Sequence, residues 1–493
     1  MPTVTRFIAN TYRDSVALMQ LSARLRELPG VEEAAMIMAT EGNLALLREV
    51  GLLAGAVAAR PSDLLVVVRA KTQAAAEAAI GRGEDALRAA APAAAGTGPA
   101  AIVPRSIDMA LAEAPASNLA LISVPGEYAA AEAAKALARG LNVMLFSDNV
   151  ALEDEVALKR RAAARGLLVM GPDCGTAILD GVPLGFANRV RRGPIGCVAA
   201  SGTGLQQVTT LVDRLGLGVS QAIGTGGRDL SEAVGGVTML AGLKLLAADR
   251  DTKVIVLISK PPAPAVAAKV IAEAAKARKP VVVNFIGADP AVRGKSLHVA
   301  RTLEDAARAA VALAQGRKPP KGPAVSRVGA LPRLGKSQRY VRGLFSGGTF
   351  CYEAEGILRA ALGESWQAGG HSLVDLGDDV YTRGRPHPMI DHRLRNERIV
   401  REAKDPAVAV ILFDVVLGHG AHPDPAAEMA PALRAARQAN RRVAFVGSVC
   451  GTGTDPQGLA RQEAALRKAG VLLAPSNAAA ARIAARIVAG RRP

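Results

Sequence analysis

The segment PIGCVAASGTGLQQVTTLVDRL, residues 194–215, combines a buried strand, a turn of small residues and a helix. Ile195 to Ala200 predicts the strand, and we expect the helix to open near Leu205. The turn between them consists of Ser201, Gly202, Thr203 and Gly204. The first turn of a helix leaves backbone N–H groups without acceptors, and the helix dipole adds partial positive charge there. Because glycines let an anion approach closely, the segment predicts a phosphate or carboxylate site.

A second stretch repeats this pattern: VRGLFSGGTFCYEAEGILRAAL, residues 341–362. A strand again leads into a turn of small residues, and a helix follows. The residues of this turn are Ser346, Gly347, Gly348 and Thr349. Each copy is followed by a short strand and a turn rich in Gly and Asp, at residues 219–231 and 371–384. The correspondence predicts a divergent internal repeat, although small residues at such turns also serve ordinary α/β packing.

The composition predicts a multidomain α/β enzyme. With 493 residues, 50% of them hydrophobic, the chain exceeds what one core normally organises. Its apolar runs are too short to cross a bilayer and its N-terminus lacks the apolar stretch of a signal peptide, so we expect a cytoplasmic protein. The 4 cysteines are widely spaced without a CxxC pair, which argues against a disulfide framework or structural zinc.

The net charge of +17 is the strongest bias of the composition. It permits nucleic-acid binding, but the basic residues are dispersed and only 3% of the residues are aromatic, so a basic stripe and stacking platforms are both missing. We therefore expect neither a nucleic acid nor a membrane as partner. An acidic small substrate or an acidic partner subunit explains the charge better, with a solvated basic surface as the simplest alternative.

Alternating strand and helix patterns predict four units. A small α+β domain of the ferredoxin-like type spans residues 1–95, and an Ala-, Pro- and Gly-rich linker follows it. A Rossmann-like unit occupies residues 115–193. Two further α/β units with largely parallel sheets occupy residues 194–316 and 340–493, separated by a basic linker at residues 318–336. Because the second unit lacks GxGxxG, nicotinamide binding is disfavoured.

The Rossmann-like unit offers two ligand candidates at the carboxyl edge of its sheet, where ligands bind in open α/β sheets. One is the turn after its first strand, with Pro125 and Gly126 as candidate cofactor-binding residues. The other is the GPDCGT turn after its third strand, where Asp173 and Cys174 are placed to contact a ligand. A tight turn capped by Asp173 explains the second motif equally well.

Together these motifs resemble those of acyl-CoA synthetases. GPDCGTA and IGCVAASGTGLQQV, at residues 171–177 and 195–208, look like the α subunit of succinyl-CoA synthetase, and the chain from Val341 is similar to the carboxyl domain of its β subunit. The two parts, fused behind a small N-terminal domain, resemble the FdrA family. The resemblance implies that the Rossmann-like unit is of the CoA-binding type, that the last two units are flavodoxin-like, and that two helix N-termini face one phosphate.

The sequence also departs from the synthetase pattern. Where the synthetase carries a phosphorylated histidine in a GHAGA-like loop, this chain reads GADPAVRGKSLHVART, with His298 nearby. Ser259 and Lys260 stand where the synthetase has the glutamate that orients this histidine, and residues 316–340 leave no room for an ATP-grasp domain. A phosphate site without phosphorylation machinery suggests that an acyl phosphate arrives as a substrate.

The FdrA resemblance implies purine ureide breakdown, with carbamoyl transfer between carbamoyl phosphate and oxamate, giving oxalurate and phosphate. This reaction needs a held phosphate, a polarised carbonyl and a cation for the carboxylate. The two small-residue turns are the predicted phosphate ligands. Arg228, Arg383 and Arg385 are candidates for the cation, since a guanidinium matches a carboxylate, although each fits an ordinary surface position equally well.

Histidines concentrate in the last unit, at His387, His419 and His422. His419 and His422 follow a buried strand at a carboxyl edge, and we predict one of them as the proton carrier or as a donor to the carbonyl. A metal site built from these histidines with Asp414 or Asp424 lacks a recognisable ligand spacing, so no metal is predicted. No cofactor is required under this interpretation, and CoA remains an alternative ligand.

Three functions stay open at this stage. The first is transfer of a carbamoyl or related acyl group between phosphate and a small carboxylic acid. The second is a CoA-dependent acyl ligase or transferase, and the third is a non-catalytic regulator that senses CoA or acyl phosphate. We expect a homo-oligomer, either self-sufficient or completed by a companion subunit of the pathway, and a large apolar interface between the fused halves.

Overall fold

The computed structural model describes residues 1–13, 15–55, 59–89, 104–288, 294, 296–323, 331–382 and 386–490. The greater part of the predicted linker after the first unit lies outside these ranges, and so does the middle of the basic linker. Among the described residues, no helix has the length and apolar character needed to cross a membrane.

The N-terminal unit is α+β, as the sequence predicts. Its elements are β1 (Thr3–Ile8), α1 (Ser15–Arg26), β2 (Val31–Met38), α2 (Glu41–Glu49), β3 (Leu64–Ala70) and α3 (Gln73–Ala89). The strands form an antiparallel sheet in the order β1-β3-β2, which is a split β-α-β arrangement. Val66 and Val68 pack under α1 and α3, whereas Leu65 and Val67 face α2, so β3 is buried on both sides.

The second unit is a short parallel sheet with flanking helices. Its elements are α4 (Ile107–Glu113), β4 (Leu119–Ile122), α5 (Gly126–Ala138), β5 (Asn142–Leu145), α6 (Leu152–Ala164) and β6 (Val169–Met170). The strand order is β4-β5-β6, and both pairings are parallel. This arrangement agrees with the Rossmann-like pattern of strand, helix and strand in the sequence.

The third unit has a seven-stranded sheet. Its elements are β7 (Thr176–Leu179), β8 (Val182–Gly185), β9 (Arg192–Ala200), α7 (Gly202–Arg214), β10 (Val219–Gly224), α8 (Val237–Ala248), β11 (Val254–Ser259), α9 (Pro264–Ala274), β12 (Val281–Phe285), β13 (Leu297–Val299) and α10 (Leu303–Ala314). The sheet runs β13-β12-β11-β9-β10-β7-β8, with the β7–β8 hairpin antiparallel to β10. The boundary between the two sheets therefore precedes residue 176, rather than lying at residue 193 as the sequence suggested.

The fourth unit has a five-stranded parallel sheet. Its elements are β14 (Tyr340–Phe345), α11 (Gly348–Leu362), α12 (Glu364–Gln367), β15 (Ser372–Asp375), α13 (Asp379–Thr382), α14 (Arg393–Ala403), β16 (Val408–Val416), α15 (Pro425–Ala439), β17 (Ala444–Cys450), α16 (Leu459–Lys468), β18 (Val471–Ala474) and α17 (Asn477–Ala489). The order is β15-β14-β16-β17-β18. The parallel strands of the third unit follow the same order, β10-β9-β11-β12-β13, which is the flavodoxin-like 2-1-3-4-5 arrangement in both cases. The predicted internal repeat is thus present in the topology.

The third and fourth units share one hydrophobic core. Val208 and Leu211 of α7 belong to the same buried cluster as Phe350 and Leu358 of α11, together with residues of α10 and α17 such as Ile483. The first and last helices of each unit therefore pack against those of the other unit. This interface is internal and apolar, as we expected from the fusion of the two halves.

Two helix starts at this interface are capped reciprocally. Glu353 Oε1 accepts a hydrogen bond from the amide of Leu303, the first residue of α10 (2.7 Å). Gln207 Oε1 accepts one from the amide of Asn477, the first residue of α17 (3.4 Å). Because α7 begins at Gly202 and α11 at Gly348, Gln207 and Glu353 occupy equivalent positions five residues into their helices. The repeat therefore extends to the polar contacts of the interface.

The second unit docks onto the third through a buried lysine. Lys159 Nζ of α6 lies 2.9 Å from Glu155 Oε1 and 2.7 Å from Asp229 Oδ1, and it donates to the carbonyl of Thr225 (2.9 Å). All three charged side chains are at most 1% exposed. Asp229 also accepts from the amide of Met239 in α8, so the lysine connects the two units directly.

The N-terminal unit docks onto the second and fourth units. Arg26 Nη1 lies 3.1 Å from Asp391 Oδ2, and both side chains are buried. Tyr12 donates through its hydroxyl to the carbonyl of Ser123 (2.7 Å). A buried ion pair across a domain contact depends on both partners being present, since an unpaired buried charge is costly.

We predict that Lys159→Met destabilises the protein by about 3–5 kcal/mol, because Asp229 would remain buried without its cation and Glu155 would keep only the partly exposed Arg228. The measurement is the unfolding midpoint in urea, followed by circular dichroism. Lys135→Met is the matched control, since Lys135 forms an exposed pair with Glu132 on the neighbouring helix α5. Equal midpoints for the two variants would contradict the role of Lys159.

Candidate functional site

The two small-residue turns meet in the structure. Ser201 Oγ lies 2.6 Å from Thr349 Oγ1, and both residues are buried. A Cβ atom placed on Gly347 would lie 2.9 Å from Thr203 Cγ2, so the second turn also touches the first. The predicted convergence of the two turns is therefore observed. We refer to residues 201–204 and 346–349 together as the anion cradle.

The helices begin earlier than the sequence suggested, at Gly202 and Gly348 instead of near Leu205 and Phe350. The glycines are thus the first helical residues. Ser201 caps α7 by accepting from the amide of Gly204 (2.9 Å), whereas α11 begins without a side-chain cap. The remaining amides of both first turns lack intrahelical acceptors, and both dipoles place positive charge at the contact.

Ser346 has a supporting role that the sequence did not reveal. Its amide and its hydroxyl both donate to the carboxylate of Asp414, at 2.7 and 2.6 Å, and the residue is 1% exposed. Arg395 holds Asp414 in turn by donating to its carbonyl (2.6 Å). Ser346 therefore holds the second turn in place. Its two donors are occupied by Asp414, so the predicted contact with an anion would be made by residues 347–349.

Two charged side chains that the sequence did not single out as ligands flank the start of α11. Asp375 is the last residue of β15, and Lys260 follows β11 in the other unit. A Cβ atom placed on Gly348 would collide with Asp375 Oδ2 and lie 3.4 Å from Lys260 Nζ, so both side chains reach one helix end. Burial raises the pKa of Asp375, and a hydrogen bond from Gly377 and the charge of Lys260 partly offset this rise.

His387 presents a neutral N–H group beside the cradle. Its Nδ1 accepts from the amide of Met389 (3.2 Å), so Nε2 carries the proton of the neutral ring. Burial lowers the pKa of His387 to about 4, which keeps the ring neutral near pH 7. A Cβ atom placed on Gly377 would lie 2.8 Å from His387 Nε2 and 2.9 Å from the carbonyl oxygen of Ser346. His387 therefore lies beside the cradle, a position that the sequence did not predict for it.

The two histidines predicted as catalytic have other partners. His419 Nε2 accepts from Arg189 Nε (3.2 Å), and the amide of His419 donates to the carbonyl of Ala187. His422 Nδ1 accepts from the amide of Asp424, and its Nε2 lies 3.3 Å from Glu428 Oε2. These contacts hold the loop after β16 in place, and the catalytic role of His419 or His422 stays a prediction.

His392, His422 and Glu428 form a cluster of three metal-ligand types, with one ligand atom of each within 4.8 Å of the others. Arg395 Nη2 donates to His392 Nδ1 (2.6 Å), because a guanidinium has no acceptor. The proton of the neutral His392 ring must then reside on Nε2, which blocks that atom as a ligand. We assign no cation to this cluster.

The remaining predicted site residues have structural partners or lie elsewhere. Arg228 Nε pairs with Glu155 Oε2 (2.9 Å) and its Nη2 donates to the carbonyl of Val150, so it supports the Lys159 cluster rather than offering a free cation. Cys174 is 2% exposed in the hydrophobic core, and burial raises its pKa to about 12, which excludes it as a ligand contact in this structure. Arg383 and Arg385 lie outside the described residues.

Asp173 and the turn at Pro125 lie, as predicted, at the carboxyl ends of strands in the sheet of the second unit. Asp173 is exposed, adopts φ 55° and donates its amide to the carbonyl of Ser147 (3.0 Å). Pro125 precedes α5, and a Cβ atom on Gly126 would collide with the carbonyl oxygens of Asp148 and Asn149. Close backbone packing thus explains Gly126, and carbonyl oxygens at this helix start disfavour a phosphate there.

Three family models match the chain. The first, CoA-ligase, matches residues 344–487, and the CoA binding domain matches residues 191–287. The third, described as AllF, heavy metal-associated domain, matches residues 1–102. The chain is also 43% identical over 496 residues to the uncharacterized protein YahF of Escherichia coli (strain K12), covering 95% of each chain. It belongs to the YahF family of succinyl-CoA synthetase-like proteins.

More distant relatives are ligase subunits. Succinate–CoA ligase subunit alpha 2 of Archaeoglobus fulgidus is 30% identical over 31% of this chain and 54% of its own length. The ADP-forming sulfoacetate-CoA ligase subunit SauD of Bilophila wadsworthia is 28% identical over 40% of this chain and 68% of its own. The predicted relationship to succinyl-CoA synthetase is confirmed. The CoA binding model lies on the third unit, downstream of the residues 115–193 for which the sequence suggested it.

We predict that Gly202→Leu abolishes binding of inorganic phosphate or sulfate while the fold is retained. Gly202 is exposed, and its Cβ position meets only Thr176 Oγ1, at 3.4 Å, so a side chain would fill the approach to the cradle. Isothermal titration measures the binding. Gly356→Leu, at an open position later in α11, is the control and should bind normally.

Gly347 is unsuitable for the same test. A Cβ atom there would press on Phe350 Cδ2 and Thr203 Cγ2, both at 2.9 Å, and so disturb the contact between the two turns. If Gly202→Leu binds phosphate as well as the wild-type protein does, the anion cradle is not the phosphate site.

Proposed function

We propose that this YahF-family protein binds an acyl phosphate at the anion cradle and transfers its acyl group, specifically a carbamoyl group, to a small carboxylic acid. The observation that carries the proposal is the meeting of two helix N-termini, with Ser201 and Thr349 at 2.6 Å. Each helix N-terminus carries a partial positive charge of about one half, and two such charges side by side attract an anion more strongly than one does. Lys260 adds a full positive charge at the same place.

Direct transfer fits the side chains better than a covalent enzyme intermediate. All 4 cysteines are buried, and burial raises the pKa of each thiol, so none is an activated nucleophile. His298 lies in β13, three strands away from β9, which corresponds to about 14 Å at the usual strand spacing. This supports phosphate arriving on the substrate rather than by phosphorylation of this histidine.

The proposed step uses groups already in place. The acceptor nitrogen of oxamate forms a bond to the carbonyl carbon, while the bond from that carbon to the phosphate oxygen breaks. The proton lost from the nitrogen goes to the departing phosphate. His387 donates its Nε2–H to the carbonyl oxygen as negative charge develops there, and the cradle amides with Lys260 hold the phosphate. The cation for the acceptor carboxylate is not among the residues placed at the cradle.

The pathway assignment is supported by the N-terminal unit. Its match to an AllF-type domain favours a role in allantoin breakdown, in agreement with the FdrA resemblance. A CoA-dependent acyl ligase is the second candidate, because models for a CoA binding domain and a CoA-ligase match the two flavodoxin-like units. Pro125 and Gly126 do not fit a CoA phosphate, so CoA would need another part of the chain.

We predict that Lys260→Met weakens binding of phosphonoacetamide, a stable carbamoyl phosphate analogue, by roughly 10-fold to 100-fold, the range for losing a hydrogen bond to a charged group. Isothermal titration with the full chain gives the affinity. Lys269→Met, at an exposed position of α9, serves as the control and should leave the affinity unchanged. If the wild-type protein and both variants bind phosphonoacetamide with the same affinity, Lys260 does not contact the ligand.

The activity itself is tested with carbamoyl phosphate and oxamate, by release of inorganic phosphate. The assay is run on the chain alone and after mixing with proteins encoded beside it, since a companion subunit could complete the acceptor site. Phosphate release that depends on oxamate supports carbamoyl transfer. Release that depends on CoA and not on oxamate would favour the ligase.

A further inference from the structure

Asp375 is out of place in a site that binds only a phosphate. Its carboxylate lies against Gly348, the first residue of α11, where a bound phosphate would approach. A second negative group in such a position repels the ligand, unless the ligand also brings a hydrogen-bond donor. The position of Asp375 therefore carries information about the part of the ligand next to its phosphate.

The carboxylate is oriented with one oxygen available. Oδ1 accepts from the amide of Gly377 (2.9 Å), which fixes the plane of the group. Among the hydrogen bonds of the described residues, Oδ2 has no partner, and it is the oxygen that faces the start of α11. Two donors lie nearby: Lys260 Nζ is 3.4 Å from the Cβ position of Gly348, and His387 Nε2 is 2.8 Å from that of Gly377. The site thus holds donors for a phosphate and a carbonyl, and one acceptor.

We propose that Asp375 is a specificity-determining residue: it accepts a hydrogen bond from an N–H group next to the phosphate, and so selects a carbamoyl phosphate over an acyl phosphate with a methyl group at that position. This inference rests on the proposed function. A ligand with a methyl group would leave Oδ2 desolvated and unpaired, and sites that hydrogen-bond a substrate NH discriminate strongly against analogues that lack it. Burial, which raises the pKa of Asp375, already indicates a partly desolvated carboxylate.

A structural role is the competing explanation. An acidic side chain near a helix N-terminus stabilises the helix through its dipole, whatever the ligand. The two roles differ in one measurable respect. A stabilising carboxylate affects all ligands of the cradle alike, whereas a selecting carboxylate changes the ratio of affinities between two ligands that differ only in the N–H donor.

The test uses the full chain and two stable probes of nearly equal shape. Phosphonoacetamide carries an amide NH2 where 2-oxopropylphosphonate carries a methyl group, and isothermal titration gives both affinities. The wild-type protein should prefer the amide by roughly 10-fold to 100-fold, the range expected for a hydrogen bond to a charged group. Asp375→Leu should bring the ratio close to one. Asp375→Asn, which keeps an acceptor without its charge, should give an intermediate ratio.

Glu364→Gln removes a negative charge from an exposed position in α12 and should keep the wild-type ratio. Equal wild-type affinities for the two probes would overturn the role of Asp375 and leave the cradle intact. An unchanged ratio in both Asp375 variants, with both affinities reduced together, would assign Asp375 to helix stability. If neither probe nor inorganic phosphate binds the wild-type protein, the proposed function itself fails.

Discussion

The contact between the first turns of α7 and α11 is the constraint on which the rest of the structure depends. Two helix dipoles that point their positive ends at each other repel, and the apolar core shared by both units must outweigh this repulsion. The interface also places carboxylates among the helix starts. Glu353 accepts from the first amide of α10 and Asn477, and its pKa is raised to about 7 by burial. The two positive helix ends are the physical basis for the anion binding that we propose.

The flanking units are attached to this centre through polar contacts. Asp414 receives both donors of Ser346 and is held by Arg395, whose Nη2 reaches His392. His392 directly follows Asp391, the partner of Arg26 from the N-terminal unit. These contacts form an unbroken series of neighbours from the N-terminal unit to the second turn of the cradle. They support the second turn, because α11 begins without a side-chain cap.

Local patterns in the sequence were sufficient for most of the elements and for the two turns. Glycine and serine at the end of an apolar run specify a strand-to-helix turn through short-range sterics, so both copies could be located without knowledge of the fold. The β7–β8 hairpin was missed because its sheet partner, β10, is more than thirty residues away in sequence. Cys174 was placed at the ligand site because its turn lies at a carboxyl edge, and Arg228 because a guanidinium matches a carboxylate. Only packing reveals that the thiol faces the core and the guanidinium faces Glu155.

The chemical groups of the site were harder to predict than its backbone. Lys260, Asp375 and His387 come from three separated segments, and the apposition of the two flavodoxin-like units brings Lys260 to the helix end where Asp375 lies. Lys260 is the most instructive of the three, since the resemblance places there a glutamate that orients a phosphorylated histidine. A carboxylate at that place can orient a histidine, whereas the ammonium group of Lys260 can pair with the phosphate of a bound substrate. The change of charge at this strand end therefore agrees with the acyl phosphate binding that we propose.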